Sequence, residues 1–400
     1  MSFRCYAWPS EKAYFLNNIW LRIHASWIAE LSINYILYHR LYRDDIYLTY
    51  FDPPLELDIV SMAIAIGFLL SFLMAVALGG NDAATPCDTS VGARVLTVRK
   101  AVILFALFAS VGALTQGYMV MKTIGKGIVH TIDLLGVIII IVSAFMWIMF
   151  CNYSGLEISV THSVIGAVMG YGLAAYGVSG VNWDLLWKVV LSWFSSPILS
   201  VILAFTLYKL IIRVVNEKEW ATRIMPMLLV FSLCYSAFAF GTNDIANATG
   251  VYVTVSEIVF GGMPEQGIMF LLAALGSLGV AVGGLLLGTR VIGTVAFKIT
   301  KLDPVSGFAA ELSNAFVVHM FTTIPYFLIG YGLPISTSLA SVGAVIGVGL
   351  AMYRSAGINK RTVAILATAW MASVILTAVI SYILYTLLYP MVGPILKPKI

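Results

Sequence analysis

Charge is what this sequence has least of. Asp, Glu, Lys and Arg make up only 10% of the 400 residues, where a soluble domain carries about a quarter. The net charge of +4 is scattered over short connectors and forms no basic stripe, which argues against a nucleic-acid partner. Cysteine is equally sparse. Cys5, Cys87, Cys151 and Cys234 stand alone, with no Cys-x-x-Cys, so neither a disulfide framework nor a metal knuckle is supported. Sustained apolar–polar alternation is missing, which argues against a β-barrel. The motifs contain no His-Glu-x-x-His, Gly-x-Ser-x-Gly or Gly-x-x-x-x-Gly-Lys-Ser/Thr. An intramembrane hydrolase and direct ATP drive are therefore not expected, nor is a cofactor. No short apolar core with a small-residue cleavage site opens the chain, so a cleaved signal is not expected.

What is present is hydrophobic length. Sixty per cent of the residues are hydrophobic and the mean hydropathy is +0.95, which makes this an integral membrane protein. Apolar runs of helical length occupy Leu57–Leu78, Ala101–Met121, Leu134–Cys151, Trp187–Ile212, Met227–Phe240, Ile268–Leu287, Gly307–Tyr331, Ile335–Met352 and Thr362–Tyr389. Leu156–Ala175 begins too polar for an ordinary span, with Glu157, Ser159, Thr161, His162 and Ser163. It reads as a re-entrant or broken helix lining a cavity, where irregular backbone is tolerated at membrane depth. The expected fold is an all-α integral membrane protein of about 10–12 membrane segments, some of them broken or re-entrant.

Four regions follow from composition. Residues 1–56 are rich in Trp, Tyr and Arg and differ from everything after them. They read equally as an interfacial amphipathic helix and as an extension outside the working protein, with translation starting near Met62. Residues 57–212 and 224–390 form two membrane halves, and the charged stretch 213–223 connects them. Positive charge flanks several spans on both sides, so orientation is not fixed by it.

The halves repeat each other. Gly79-Gly80-Asn81-Asp82-Ala83-Ala84-Thr85 closes the first apolar run, and Gly241-Thr242-Asn243-Asp244-Ile245-Ala246-Asn247 stands at the same place in the second half. A carboxylate near the bilayer centre costs roughly 2.5–3.5 kcal/mol on insertion scales, so two placed alike signal function. Ser159 precedes Gly166 and Gly170 by the same spacing at which Ser336 precedes Gly343 and Gly347. One Gly-x-x-x-Gly means close helix packing; two at a fixed distance from hydroxyl clusters mean an internal duplication.

Interrupted helices at matching positions of two halves point to a transporter's binding site. Both polar knots read as places where a helix unwinds and frees carbonyls. Ser336, Thr337 and Ser338 follow Gly332-Leu333-Pro334, and Ser159 and Thr161 are their counterparts. Hydroxyls at helix N-termini suit a small oxyanion, although ordinary N-capping by either cluster alone is the simpler reading. Carboxylates repel an oxyanion, so Asp82 and Asp244 call for sodium or protons between acid and anion. Thr85 and Asn247 complete the expected cation ligands. Obligatory binding of both species predicts a cation-coupled symporter. Among other ionisable groups, His162 is a relay or a packing histidine, and Glu311 an ion-site or gating residue. His319 and Glu257 read as structural or solvated, and Met119, Met121, Met146 and Met149 as core or lipid contact.

These residues resemble a known family. Gly241-Thr242-Asn243-Asp244-Ile245-Ala246-Asn247-Ala248 is similar to the duplicated G-x-N-D-x-A-N-A signature of the inorganic phosphate transporter (PiT) family. Gly332-Leu333-Pro334-Ile335-Ser336-Thr337-Ser338 is similar to its G-L-P-V-S-T-T segment, and Gly307-Phe308-Ala309-Ala310-Glu311 to its G-F-A-A-E. The resemblance covers roughly residues 57–390. It implies sodium- or proton-coupled phosphate uptake through two inverted-topology repeats with re-entrant hairpins. It also implies that Asn81, Asp82, Ser159, Thr161, Asn243, Asp244, Ser336, Thr337 and Ser338 surround phosphate. Asp82, Thr85, Asp244 and Asn247 would then hold the coupling ion. A multi-pass protein of the plasma membrane is expected, with a homodimer one compatible assembly.

The departures fall mainly in the first half. Thr85 replaces an asparagine, Asp88 a glycine, and Leu156-Glu157-Ile158-Ser159-Val160-Thr161-His162 replaces L-P-V-S-T-T-H. No acid appears in Phe108-Ala109-Ser110, where relatives often carry one, and Leu339 replaces a histidine. A sulfate permease of the same fold, and an uncoupled anion channel or phosphate sensor, remain competing readings. The break in composition at residue 57 yields a first expectation: deleting residues 1–56 leaves transport per inserted molecule unchanged. Uptake normalised to the amount of inserted protein checks it.

Overall fold

Runs of apolar residues with their backbone groups paired internally form helices in a membrane, and this chain is helical almost throughout. In a computed structural model, the described residues are 59–215, 218–253, 266–295 and 299–396. Contacts divide the chain into Met1–Glu56 and Leu57–Ile400. The first unit, with the reading placed on it, lies outside the described residues, as do Glu257, Asn216 and Glu217.

The elements are α1 (Ile59–Asp82), α2 (Ala84–Gly92), α3 (Val98–Gln116), α4 (Tyr118–Lys122), α5 (Leu134–Ser154), α6 (Val160–Tyr176) and α7 (Trp183–Val215). They continue with α8 (Glu219–Thr249), α9 (Gln266–Leu286), α10 (Gly288–Val295), α11 (Pro304–Ile329), α12 (Thr337–Tyr353) and α13 (Lys360–Val392). Among the described residues there is no strand, only one isolated bridge, Val129 to Val181. Eight helices are long and apolar enough to cross a membrane, and α12 is a shorter apolar helix. α6 and α12 have 17 residues each and supply the two short segments that the sequence leads one to expect. Between α5 and α6, and between α11 and α12, the chain leaves its helix on a left-handed glycine, Gly155 or Gly330.

Helix pairing follows the duplication. α3 packs on α8 and α9 on α1; α6 packs on α13 and α12 on α7. Each pair joins one half to the other, and each has its counterpart with the halves exchanged. Glycine makes the approach close enough. A Cβ at Gly166 or Gly170 would lie 2.4 or 2.1 Å from the carbonyl oxygens of Val374 and Ala378 on α13. A Cβ at Gly343 or Gly347 would lie 2.6 or 2.4 Å from those of Pro197 and Val201 on α7. α7 and α13 turn large apolar side chains outward, among them Phe194, Ile198, Met371 and Ile375, as a lipid-facing surface requires.

The polar knots differ from the expectation. Helix α8 runs unbroken through Gly241–Ala248, and α1 passes into α2 with only Ala83 between them. The glycines serve helix packing instead of unwinding. A Cβ at Gly241 would sit 1.9 Å from the Ala109 carbonyl oxygen, and one at Gly79 would sit 2.1 Å from that of Val280. Backbone paired within the helix avoids buried orphan groups, and that preference outweighs the low helix propensity of Gly, Asn and Asp. Carbonyls are freed elsewhere, at 155–159 and 330–336.

Close packing at these glycines can be tested. Gly170→Val and Gly347→Val should each cost about 1–3 kcal/mol by overpacking a helix contact. Thermal unfolding of purified protein in detergent should show similar losses for both, since the two contacts are counterparts.

Candidate functional site

The two non-helical stretches are held by the asparagines of the knots. Asn81 donates through Nδ2 to Asn152 Oδ1 at 2.8 Å and to the Leu156 carbonyl at 3.2 Å, and its Oδ1 accepts the Ile158 N–H at 3.0 Å. Asn243 does the matching work, donating to Thr322 Oγ1 at 2.7 Å and to the Leu333 carbonyl at 2.9 Å. Irregular backbone at this depth needs such partners. Ser159 and Ser336 are N-caps: their hydroxyls accept from His162 N–H and Leu339 N–H, at 3.2 and 3.3 Å. These four residues were expected around substrate; in this structure the hydrogen bonds they make build the scaffold, and Asn243 Oδ1 is left without a partner.

Scaffold and caps bring the N-termini of α6 and α12 together. Thr161 Oγ1, in the first turn of α6, donates to the Ile335 carbonyl at 3.0 Å. Ser338 Oγ, in the first turn of α12, donates to the Ile158 carbonyl at 3.2 Å. Each helix thus bonds to the stretch preceding the other. Two helix N-termini meeting in one buried place concentrate partial positive charge and unpaired N–H groups, which favours an anion.

Around this meeting point lie the acids. Asp244 Oδ1 accepts from Thr161 Oγ1 at 3.2 Å and from Asn247 Nδ2 at 3.0 Å, and Thr337 stands beside the carboxylate. Asn247 Nδ2 reaches Thr161 Oγ1 as well, at 3.1 Å. On the other side, Thr85 Oγ1 donates to Glu157 Oε1 at 3.3 Å and stands 3.5 Å from Ser338 Oγ. Asp82 lies within electrostatic reach of both Asp244 and Glu157. An adjoining group joins α2 to α11: Thr89 Oγ1 donates to Glu311 Oε2 at 2.5 Å, Asn314 Nδ2 donates to Ser236 Oγ at 3.1 Å beside it, and Asp88 lies within electrostatic reach of Glu311.

Asp82, Asp88, Glu157, Asp244 and Glu311 are each at most 3% exposed, and no Lys or Arg is buried among the described residues. An isolated carboxylate loses several kcal/mol or more on leaving water. Donors to offset that loss are too few. Asp82 Oδ1, Asp88 Oδ1, Glu157 Oε2, Asn243 Oδ1, Asp244 Oδ2, Asn247 Oδ1, Glu311 Oε1 and Asn314 Oδ1 have no hydrogen-bond partner. All are acceptors, and what a cluster of orphaned oxygens accepts is a hard cation or a proton. Among the described residues no three His, Cys, Asp or Glu converge as a transition-metal site would require. The oxygens here are carboxylate, amide, hydroxyl and carbonyl in mixture, which suits sodium better. An open cavity of about 570 Å³ lies between α7, α8 and α11, lined by residues such as Val215, Met225 and Val305. It is away from the acids, which are closed off on every side.

The structure thus gathers Asp82, Thr85, Thr161, Asp244, Asn247, Thr337 and Ser338. Glu311 stands in the adjoining group. His162 turns elsewhere: its Nδ1 is 3.2 Å from the Trp370 carbonyl, and its ring lies 3.8 Å from that of Trp193. That wedges α6 against α7 and α13 as a packing histidine. His319 bonds Tyr235 and Gln116 and is structural, as read from the sequence. Glu157, Asp88, Asn152, Thr322 and Asn314 were not among the expected site residues. Matching the halves position by position would have found Asn152 and Thr322, which do the same work for their asparagines.

Residues 78–381 match the model of the phosphate transporter family. The chain belongs to that family. It is a membrane transporter and not an enzyme. Among similar proteins, a Pyrococcus furiosus chain assigned as a phosphate permease is 32% identical, with 82% of this chain and 97% of that one covered. The Arabidopsis thaliana chloroplastic inorganic phosphate transporter 2-1 is 28% identical over 80% of this chain and 71% of its own length. A solved structure titled as the sodium-dependent phosphate transporter has a TM-score of 0.75 at 29% identity, covering 82% of this chain and all of that one. The family match thus agrees with the resemblance carried by the knots and hydroxyl segments.

In this phosphate transporter family member the asparagine clasp is open to test. Asn81→Leu leaves the Leu156 carbonyl and Ile158 N–H without partners, at about 1–3 kcal/mol for each. Thermal unfolding in detergent should fall accordingly, and Asn243→Leu should fall too.

Proposed function

We propose that this protein is a sodium-coupled symporter of inorganic phosphate that works by alternating access. The observation that carries the reading is the meeting of two helix N-termini inside a set of buried carboxylates, with no buried Lys or Arg among the described residues. Thr161, Thr337 and Ser338 with the N-termini of α6 and α12 would donate to phosphate. Asp82 with Thr85, and Asp244 with Asn247, would hold the coupling cations between acid and anion. The orphaned oxygens favour cation coupling over a bare anion channel. Sodium is preferred to protons because the ligands are mixed hard oxygens and because a relative's title names sodium. Family membership favours phosphate over sulfate. A protonated phosphate can also donate to a carboxylate, whereas sulfate cannot.

The exchange of helix partners between halves supports two inverted repeats, 57–212 and 224–390, rocking about the closed site. The boundary membrane of the cell is the natural place for such an uptake system.

Phosphate and sulfate uptake into proteoliposomes, under imposed sodium or proton gradients, tests this directly. Phosphate uptake driven by sodium is expected. Asp244→Asn should lower it about tenfold or more, since the carboxylate's charge-assisted contacts are worth roughly 1.5–3 kcal/mol. Uptake that ignores both gradients, or that prefers sulfate, would overturn the reading.

A further inference from the structure

The two halves match closely enough that their differences can be paired. Three residues past the aspartate of each knot stands Thr85 in the first half and Asn247 in the second. Two residues before each capping serine stands Glu157 in the first half and Pro334 in the second. Thus the half that lacks the amide has a carboxylate where its counterpart has proline. The two altered positions also touch, because Thr85 Oγ1 donates to Glu157 Oε1 at 3.3 Å.

In the second half Asn247 brings an amide oxygen, Oδ1, that is buried and unpartnered beside Asp244. In the first half the unpartnered oxygens are Glu157 Oε2 and Asp82 Oδ1, on two carboxylates within electrostatic reach of each other. Glu157 is 1% exposed, so water does not satisfy it. Its neighbours do not either. Ser338 donates its one hydroxyl hydrogen to the Ile158 carbonyl at 3.2 Å, and Thr85 has one in all. Two adjacent carboxylates with so few hydroxyl hydrogens leave a concentration of negative charge that a cation or a proton relieves.

We propose that Glu157 is a ligand of the first-half sodium ion, taking the place that the Asn247 amide has in the second half. The first-half site is then built from Asp82, Glu157, the Thr85 and Ser338 hydroxyls and a carbonyl of the 155–158 stretch. It carries two carboxylates where the second-half site carries one, so losing the amide does not make it the weaker site. This deepens the sodium-coupled reading above and rests on it.

Equilibrium binding of radioactive sodium to purified full-length protein in detergent tests the assignment, because it counts ions without requiring transport. Wild-type protein should bind two sodium ions. Asp244→Asn should remove one and leave the other. Glu157→Gln should weaken the remaining class by at least about tenfold, the lower end of the cost of losing even an outer partner of a metal site. The paired variant Thr85→Asn with Glu157→Pro recreates the second-half arrangement and should bind two ions again. It also carries the test should Glu157→Gln fail to fold. Wild-type sodium binding in Glu157→Gln, a single sodium ion in wild type, or loss of the first site in a folded paired variant would each overturn the proposal. Failure of the symport reading would look different. Phosphate uptake by wild type would then ignore the sodium gradient, while the count of bound sodium would still decide the role of Glu157.

Discussion

Five carboxylates enclosed in protein at membrane depth, with no buried lysine or arginine among the described residues, set the terms for everything else in this structure. Charge of one sign in a weakly polarisable medium is tolerated only when cations or protons supply the other sign. Around Asp82, Asp244 and Glu157 the hydrogen-bond donors are hydroxyls and an amide, each with too few hydrogens for the oxygens present. A site assembled this way is incomplete by construction. What completes it comes from outside the chain, which is why the arrangement reads as part of a carrier and not as a structural core.

Holding such a site requires a scaffold that does not depend on it. Backbone groups freed at 155–159 and 330–336 are secured by Asn81 and Asn243, whose amides bond carbonyls of the same two stretches. The helices behind them approach to the limit that glycine permits, at Gly166 and Gly170 on α13 and at Gly343 and Gly347 on α7. The asparagine bonds stay within a half, and each of these glycine contacts joins one half of the chain to the other. On the symport reading the site sits between the two halves, the setting in which a small rotation of one against the other changes access from one side to the other.

The spans were legible in the sequence because length and hydropathy decide them, and the segments opening at Ser159 and Ser336 because hydroxyls and glycines repeat there. The knots were located correctly and their local structure was not. Gly79, Gly241 and the Asn-Asp pairs look like helix breakers by propensity. Packing reverses the inference, since Gly241 exists to admit the Ala109 carbonyl, and a helix is the cheapest way to pair its own backbone. Asn81 and Asn243 looked like ligands for the same reason that they became clasps: an amide both donates and accepts. Nothing along the chain states which group it will meet. Glu157 was legible only as part of the polar start of a cavity-lining segment, because nothing along the chain shows that its carboxylate is left without a partner.

The matched positions of the two halves agree in spacing and differ in charge. Six residues past each knot aspartate stand Asp88 in the first half and Gly250 in the second; eight residues past the capping aspartates Asp133 and Asp303 stand Ile141 and Glu311. Asp88 and Glu311 lie within electrostatic reach of each other, one from each half, so the two acids add like charge in one place. Backbone packing tolerates no such drift, because each glycine contact has a single solution. Charge does, provided that the sum is neutralised. On the symport reading this fixes an order of events. Phosphate is itself an anion and cannot approach the joined helix N-termini while the neighbouring carboxylates are bare. Cations must therefore enter first, and the acids that make the empty site costly also make occupancy by the anion conditional on them.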